Sequence, residues 1–235
     1  MTKRPLIAVN MSMCVMNGRD THYLFDAYAE RIWEAGGDPF LVASLLHEGY
    51  PEELLARAHG VLFSGGKDYP PSFYGQEPVP ETDLGRMRPS FDLAFGKAAL
   101  ESPLPVFGIC AGCQLLNLLH HGGLLQHLPN AEEAHKGGKV HTAEITREGW
   151  MSKILSLKKG ETFSVNSFHH QAVTEEYLGK GLFISSTAFD GTVESLERPG
   201  DRMVLAVQFH PERMDDLGPL FFSALAEEAA KRITE

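Results

Sequence analysis

The sequence predicts an α/β fold with a mostly parallel central sheet, helices on both of its faces, and a smaller antiparallel extension in the second half. Short apolar runs alternate with helical patterns through the first half of the chain. Several of these runs are apolar at every position, as in strands covered on both faces. Shorter strand patterns separated by turn residues follow Gly122-Gly123. We expect the whole chain, residues 1–235, to form a single domain, because this length leaves little room for a second one.

The first half supplies the alternating strands and helices. We predict strands at residues 6–9, 40–43 and 61–63, and helices at about 23–35 and 51–58. Gly36-Gly37 is typical of a helix C-terminus, and Pro51 is typical of a first helical turn. Residues 69–89 are rich in proline, glycine and charge, which indicates a long surface loop. Ser90 is expected to cap the helix that follows this loop.

The second half supplies the antiparallel extension. The pattern predicts strands at residues 140–146, 161–166, 182–188, 192–197 and 203–209, and a final amphipathic helix at 217–233. Pro199-Gly200-Asp201 has the chemistry of a turn that joins the last two strands. The shorter spacing between these strands favours antiparallel pairing.

Composition and charge exclude several classes of function. The formal net charge is −10, which argues against binding to nucleic acids or anionic membranes, because both need a basic surface. The apolar run after Lys3 and Arg4 is too short for a signal peptide or a membrane span. Three cysteines make a poor disulfide framework and indicate a reducing compartment, so we expect a cytoplasmic protein.

Cys110 lies between Gly108 and Gly112, where an apolar strand pattern gives way to a helical one. A sharp turn between two glycines holds a nucleophile in a strained conformation at the end of a strand, and a helix N-terminus favours a thiolate. Two other readings remain open from this stretch alone. Cys110 could be a small buried apolar residue, or it could form a redox pair with Cys113.

A second motif favours the nucleophile. The strand pattern before His210 must stop there because Pro211 cannot continue the ladder, and Glu212 can orient the imidazole as the third member of a triad. The redox reading leaves His210 and Glu212 unexplained. We expect no metal site, because a second cysteine or histidine pair with ligand spacing is absent from the sequence.

The combination of Gly108-Ile-Cys-Ala-Gly-Cys-Gln114 and Gln208-Phe-His-Pro-Glu212 resembles the class I glutamine amidotransferase family. Ser64-Gly-Gly-Lys-Asp68 and Val165-Asn-Ser-Phe-His-His-Gln171 resemble a narrower branch, the γ-glutamyl-γ-aminobutyrate hydrolases. The resemblance implies a catalytic triad of Cys110, His210 and Glu212. It also implies an oxyanion hole made by the backbone N–H groups of Gly66 and Ala111. Ala111 stands where this branch often has arginine, and the backbone N–H is unaffected by that difference.

The same resemblance implies which residues bind the substrate. Gln114 lies one helical turn after Cys110 and is a candidate contact to the amino-acid head of a γ-glutamyl group. Asn166, Ser167 and His169 belong to the segment that lines the γ-glutamyl pocket in the family, although a merely hydrogen-bonded loop would have the same composition. The head carries an α-carboxylate and an α-ammonium, so its pocket should present donors and acceptors together.

The activity that the resemblance implies is hydrolysis of a small γ-glutamyl amine through a glutamyl thioester, as in putrescine breakdown, with no cofactor. A first alternative is a glutaminase subunit that supplies ammonia to a separate synthetase. A second alternative, of another class, is an inactive ligand-binding or regulatory relative. Association of identical chains is left open by the sequence.

Overall fold

The computed structural model describes residues 3–84 and 88–233. The strands are β1 Leu6–Asn10, β2 Ser12–Met16, β3 Arg19–Tyr23, β4 Asp38–Val42, β5 Gly60–Phe63, β6 Val106–Ile109, β7 Lys139–Ile145, β8 Thr162–Ser167, β9 Phe183–Ala188, β10 Val193–Glu197 and β11 Val204–Val207. The α-helices are α1 Asp26–Glu34, α2 Tyr50–Leu55, α3 Arg88–Glu101, α4 Ala111–Leu119, α5 Trp150–Leu155 and α6 Gly218–Ala230. In the described parts of the chain, no helix is both long and apolar enough to cross a membrane.

Nine strands form one mixed sheet in the order β4-β1-β5-β6-β11-β10-β9-β7-β8. The pairs from β4 to β11 are parallel, and the pairs from β11 to β8 are antiparallel. The predicted fold class is therefore confirmed. The antiparallel extension belongs to the same sheet as the parallel core, because β11 pairs with β6 on one side and with β10 on the other.

Side chains that alternate along the central strands pack under helices on opposite faces. Ile7 and Val9 of β1 belong to the apolar cluster with α1 and α6, whereas Ala8 between them belongs to the cluster with α2, α3 and α4. On the first face the ring of Phe107 stacks on that of Phe221, with centroids 5.8 Å apart. Coverage of both faces explains why these strands read as continuous apolar runs.

The hairpin of β2 and β3 is absent from the elements predicted from the sequence, although it carries a recognisable signal. Its two strands pair only with each other in a separate sheet. Asn17 and Gly18 connect them, with φ of 50° and 73°, as a type I′ turn requires. An Asn-Gly pair between two strand-like segments is therefore the signal that could have predicted it.

Four further local features differ from the predictions. Ser90 lies within α3 and does not cap it, since the helix already includes Arg88. Within the predicted loop, Pro71–Tyr74 form a short 3₁₀ turn, and residues 85–87 lie outside the described residues. The helix α5 was not predicted, because six residues are too few to show a helical period. The last strand ends at Val207, so His210 lies beyond it and is followed by a 3₁₀ turn.

Candidate active site

Cys110 occupies the junction between β6 and α4 in a strained backbone conformation. Its φ is 52° and its ψ is −102°, and its N–H donates a hydrogen bond to the carbonyl of Val207 at 2.8 Å. The flanking glycines permit the close approach of strand and helix. A Cβ at Gly112 would lie 2.3 Å from the carbonyl oxygen of Phe63, and one at Gly108 would lie 2.6 Å from that of Gly112. The thiol is thereby held at the N-terminus of a helix and at the carboxyl end of the sheet.

His210 and Glu212 form a buried pair next to this cysteine. Nδ1 of His210 lies 2.6 Å from Oε1 of Glu212, and the two residues are 8% and 3% exposed. Burial by itself would lower the pKa of His210. The negative charge and hydrogen bond of Cys110, together with Glu212, outweigh it and raise that pKa to about 10. His210 is therefore protonated at neutral pH and lies against Cys110.

Neighbouring groups hold this pair in place. A Cβ at Gly65 would lie 2.9 Å from Cε1 of His210 and 3.7 Å from Cβ of Cys110, so the Ser64–Gly66 loop packs against both residues. Nε2 of Gln208 lies 3.6 Å from Sγ of Cys110 and donates to it. The ring of Phe168 meets that of His210 edge-on, with centroids 5.4 Å apart.

A cavity of about 340 Å³ lies over Cys110 and His210. Its wall includes Tyr23 and Phe25 at the end of the β2–β3 hairpin and the segment that follows β8. The remaining lining residues are Ser12, Tyr28, Gly65, Gly66, Lys67, Asp68, Asp83, Gln114, Phe168, His169, His170, Gln171 and Arg213. The cavity therefore collects residues from both halves of the sheet around Cys110 and His210.

Two of the four predicted substrate contacts line this cavity. Nε2 of Gln114 donates to the carbonyl of Gln171 at 3.2 Å. Nδ1 of His169 donates to the same carbonyl at 2.9 Å, which leaves the buried Nε2 unprotonated and without a partner among the described residues. Burial and then the neighbouring His135 lower the pKa of His169 to about 3, so it stays neutral and can accept a hydrogen bond.

The other two predicted contacts, Asn166 and Ser167, lie outside the lining of the cavity. Asn166 uses both amide atoms on the backbone of His210, accepting from its N–H at 2.8 Å and donating to its carbonyl at 2.9 Å. Ser167 is fully buried, and its hydroxyl donates to the carbonyl of His135 at 3.0 Å. Both are the last residues of β8, and their side chains bind backbone groups of His210 and His135, so this segment reaches the cavity from Phe168 onward.

The two predicted oxyanion-hole residues come from different elements next to Cys110. Gly66 follows β5 and lines the cavity. Ala111 is the first residue of α4, where a backbone N–H has no acceptor inside its own helix. Their role as donors to an oxyanion stays a prediction.

Sequence reasoning missed two residues that support the Ser64–Gly66 loop. Tyr28 accepts a hydrogen bond from the N–H of Gly65 at 2.9 Å. Arg88 is 6% exposed and donates to the carbonyls of Ser64 and Gly65, each at 2.6 Å. A single sequence gives no sign of either role, because one arginine in a charged stretch is most often a surface residue.

His135, His141 and Glu194 form a buried group behind the cavity whose ligand atoms lie within 4.8 Å of one another. These side chains could hold a metal ion, but each is already hydrogen-bonded. Nε2 of His141 lies 2.8 Å from Oε1 of Glu194, and Nε2 of His135 lies 2.9 Å from Oδ2 of Asp190. The expectation of no metal-ligand pair considered spacing along the sequence, and the fold brings this group together from three separate segments.

The fold and the site together define a glutamine amidotransferase-like hydrolase. The chain belongs to the Peptidase C26 family, which matches residues 5–212. The family assignment confirms the resemblance drawn from the motifs around Cys110 and His210.

Individual relatives are similar over most of the chain. A protein of Mycobacterium tuberculosis, provisionally described as a glutamine amidotransferase, is 39% identical over 222 residues, which cover 88% of this chain and 68% of that one. The γ-glutamyl-γ-aminobutyrate hydrolase of Escherichia coli K12 is 29% identical over 223 residues, covering 88% and 85%. The glutaminase domain of Trypanosoma brucei CTPS, solved with acivicin, shares the fold with a TM-score of 0.72 at 19% identity, covering 98% and 96%.

Proposed function

We propose that this protein hydrolyses the γ-glutamyl amide bond of a γ-glutamyl amine and releases glutamate and the free amine. The observation that carries the proposal is the protonated His210, paired with Glu212 and facing Cys110 at the floor of the cavity. This pairing supplies a nucleophile and a proton donor for the leaving amine in one contact. The similarity to a γ-glutamyl-γ-aminobutyrate hydrolase supports the choice of substrate.

In the first step, the Cys110 thiolate attacks the γ-carbonyl carbon and forms a C–S bond. The carbonyl oxygen becomes an oxyanion, which the N–H groups of Gly66 and Ala111 stabilise. His210 gives its proton to the amide nitrogen, the C–N bond breaks and the amine leaves. The product on the protein is a glutamyl thioester, and His210 is now neutral.

In the second step, neutral His210 takes a proton from water while the water oxygen attacks the thioester carbon. The same two N–H groups hold the second oxyanion. The C–S bond then breaks, the electron pair returns to the sulfur as a thiolate, and glutamate leaves. His210 is protonated again, held in orientation by Glu212, so the cycle restores the starting pair.

Recognition of the glutamyl head is assigned to Gln114 and His169. The unpartnered Nε2 of His169 is an acceptor suited to the α-ammonium of the substrate. The side chain of Gln114 is held by the carbonyl of Gln171, and it offers an amide at the same wall. Asn166 is reassigned from substrate binding to positioning, because its amide fixes the backbone of His210.

A second candidate is a glutaminase that supplies ammonia to a separate synthetase. The description of the relative with 39% identity favours it. The two candidates share the steps at Cys110 and differ in the leaving group, which is an alkylamine in one case and ammonia in the other.

The deciding experiment measures glutamate release by the purified protein from γ-glutamyl-γ-aminobutyrate, γ-glutamylputrescine and glutamine. We expect one γ-glutamyl amine to be cleaved with a kcat/KM at least about 10-fold above that of glutamine, a difference of about 1.4 kcal/mol in transition-state binding. Cys110→Ala is the control and should release nothing. Preference for glutamine would select the second candidate, and release of glutamate by Cys110→Ala would contradict both.

A further inference from the structure

The backbone of Ser64 and Gly65 is fixed on every polar atom by a side chain. The N–H of Ser64 donates to Oδ1 of Asn10 at 2.8 Å, and the N–H of Gly65 donates to the hydroxyl of Tyr28 at 2.9 Å. Both carbonyls accept from Arg88, Ser64 from Nη2 and Gly65 from Nη1, each at 2.6 Å. The next polar atom along the chain is the N–H of Gly66.

The direction of that N–H follows from the geometry of the peptide unit. In a trans peptide the C=O and the N–H point in opposite directions within one plane. The C=O of Gly65 points to Arg88, so the N–H of Gly66 points away from Arg88. Gly65 and Gly66 line the cavity together with Cys110, and Arg88 does not, so the N–H of Gly66 is directed to the cavity side.

The guanidinium that sets this direction is itself held rigidly. Nε of Arg88 donates to Oδ2 of Asp92 at 2.8 Å, and Nη1 also donates to the hydroxyl of Ser12 at 2.6 Å. Asp92 is fully buried and accepts from Tyr69 at 2.6 Å and Asn10 at 2.7 Å. A buried ion pair held by this many hydrogen bonds favours one arrangement, and breaking it is costly.

The space next to Gly66 is filled by the same guanidinium. A Cβ at Gly66 would lie 2.3 Å from Nη1 of Arg88. The absence of a side chain at Gly66 therefore lets Arg88 sit directly behind the peptide whose carbonyl it binds. Its positive charge also polarises that peptide, which strengthens the N–H as a donor on the other side.

We infer that Arg88 is a positioning residue that builds half of the oxyanion hole by holding the Gly65–Gly66 peptide with its N–H toward the cavity. The inference rests on the proposed function, because an oxyanion forms only if Cys110 attacks a carbonyl. The planar fork of arginine reaches two successive carbonyls with separate nitrogens, which the single ammonium of lysine cannot reproduce.

The test compares two reactions of Cys110 in wild-type protein and in Arg88→Lys. Hydrolysis of the preferred γ-glutamyl substrate passes through an oxyanion, whereas alkylation by iodoacetamide does not. In the alkylation the thiolate displaces iodide and forms a thioether. We expect kcat to fall about 100-fold in Arg88→Lys with KM changed less than about 3-fold, while the alkylation rate stays within about 2-fold of wild type.

Arg202→Lys is the matched control. Arg202 also donates to a backbone carbonyl, that of Leu100 at 2.9 Å. Leu100 lies near the opposite end of α3, about 18 Å from Arg88 along the helix axis. Arg202→Lys should change neither reaction. Because Arg88→Lys leaves an imperfect buried pair, the double variant Arg88→Met with Asp92→Asn removes both charges and should give the same separation of the two rates.

Each result has one meaning. Unchanged kcat in the Arg88 variants overturns the inference, because Arg88 would then play no part in the reaction. Alkylation that falls as far as kcat also overturns it, because Arg88 would then act on Cys110 itself or on the fold. Failure of the proposed function is visible separately in the wild-type arm, where no γ-glutamyl substrate would release glutamate although iodoacetamide still labels Cys110.

Discussion

The reactivity of Cys110 depends on its backbone and on its neighbours as much as on its sulfur. The residue has a positive φ that only the packing of β6 against α4 maintains, and it faces a protonated histidine. Cys113, one helical turn further on, has a thiol of the same kind in a different setting. It is fully buried, and burial raises its pKa well above the usual range.

This contrast gives a prediction that separates the nucleophile from the redox pair. Cys110→Ala should abolish glutamate release while the protein still folds and unfolds in a cooperative thermal transition, because the substitution removes the sulfur and leaves the packing in place. Cys113→Ala should keep activity within about 3-fold, since a protonated buried thiol takes no part in the reaction. Both are measured by glutamate release and thermal denaturation. Equal loss of activity in the two variants would favour a disulfide between them.

The raised pKa of His210 predicts the pH dependence of the reaction. In the proposed mechanism its proton goes to the leaving amine, so kcat/KM should fall as the pH rises through about 10. Glu212→Gln removes a charge that raises this pKa and should move the fall to lower pH. The measurement is a pH profile of kcat/KM for both proteins. Identical upper limits in the two profiles would contradict this assignment of the proton.

The same shift affects stability, with a definite sign. The pKa of His210 is higher in the folded protein than in the unfolded chain, so the folded state binds the proton more tightly. Its contribution to the free energy of unfolding is complete below the unfolded value of about 6.5 and is lost as the pH rises through about 10. Thermal denaturation across this window should show a loss of stability that Cys110→Ala reduces, because the Cys110 sulfur, which helps to raise the pKa of His210, is gone. An equal loss of stability in wild type and in Cys110→Ala would contradict the role of Cys110 in this pH dependence.

At the scale of elements, the site depends on how closely strands, helices and turns approach one another. The crossing of β5 and α4 leaves no space at Gly112. Gly112→Ala should therefore destabilise the protein by about 2 kcal/mol or more, as overpacking against rigid backbone does. Gly160→Ala is the control, a turn with φ of 89° and open space, and should cost about 1 kcal/mol. Urea denaturation measures both, and equal costs would contradict the packing argument.

The β2–β3 hairpin forms one wall of the cavity although it pairs with no other strand in the described part of the chain. An isolated two-stranded hairpin is only marginally stable, so its turn matters. Gly18→Val strains the type I′ turn and should raise KM several-fold by loosening the wall that Tyr23 and Phe25 form. Gly200→Val strains a turn between β10 and β11 and should leave KM unchanged. Steady-state kinetics of the two variants give both KM values. A similar rise in KM in both would mean that any strained turn has this effect and would contradict the role of the hairpin.

The extent to which the sequence predicts these elements follows from their physics. The central strands are covered on both faces, so they appear in the sequence as continuous apolar runs, such as Val61 to Phe63. The sequence does not show which way the side chains at the end of a strand point. Asn166 and Ser167 have the composition of pocket residues, but their side chains bind the backbones of His210 and His135. The role of Arg88 depends on the loop that packs above it, and no local pattern records that contact.

At the scale of the molecule, the site is assembled from distant parts of the chain. Cys110 and His210 follow β6 and β11, which pair directly although about a hundred residues separate them. Such a contact forms only when the sheet itself forms. We expect the enhanced iodoacetamide reactivity of Cys110 to disappear at the same urea concentration as the circular dichroism of the fold. Loss of reactivity at a lower concentration would contradict this and indicate a separately unfolding site.

If the proposed function is correct, the continuous mixed sheet separates the residues that carry out the reaction from the residues that select the substrate. Cys110 and His210 follow two neighbouring parallel strands, whereas Phe168–Gln171 extend from the antiparallel edge and Tyr23 and Phe25 from the free hairpin. Loops from the edge and the hairpin can change in length and composition without moving β6 or β11. Exchange of these two loops between relatives is therefore a route to new leaving-group preferences on an unchanged reaction centre.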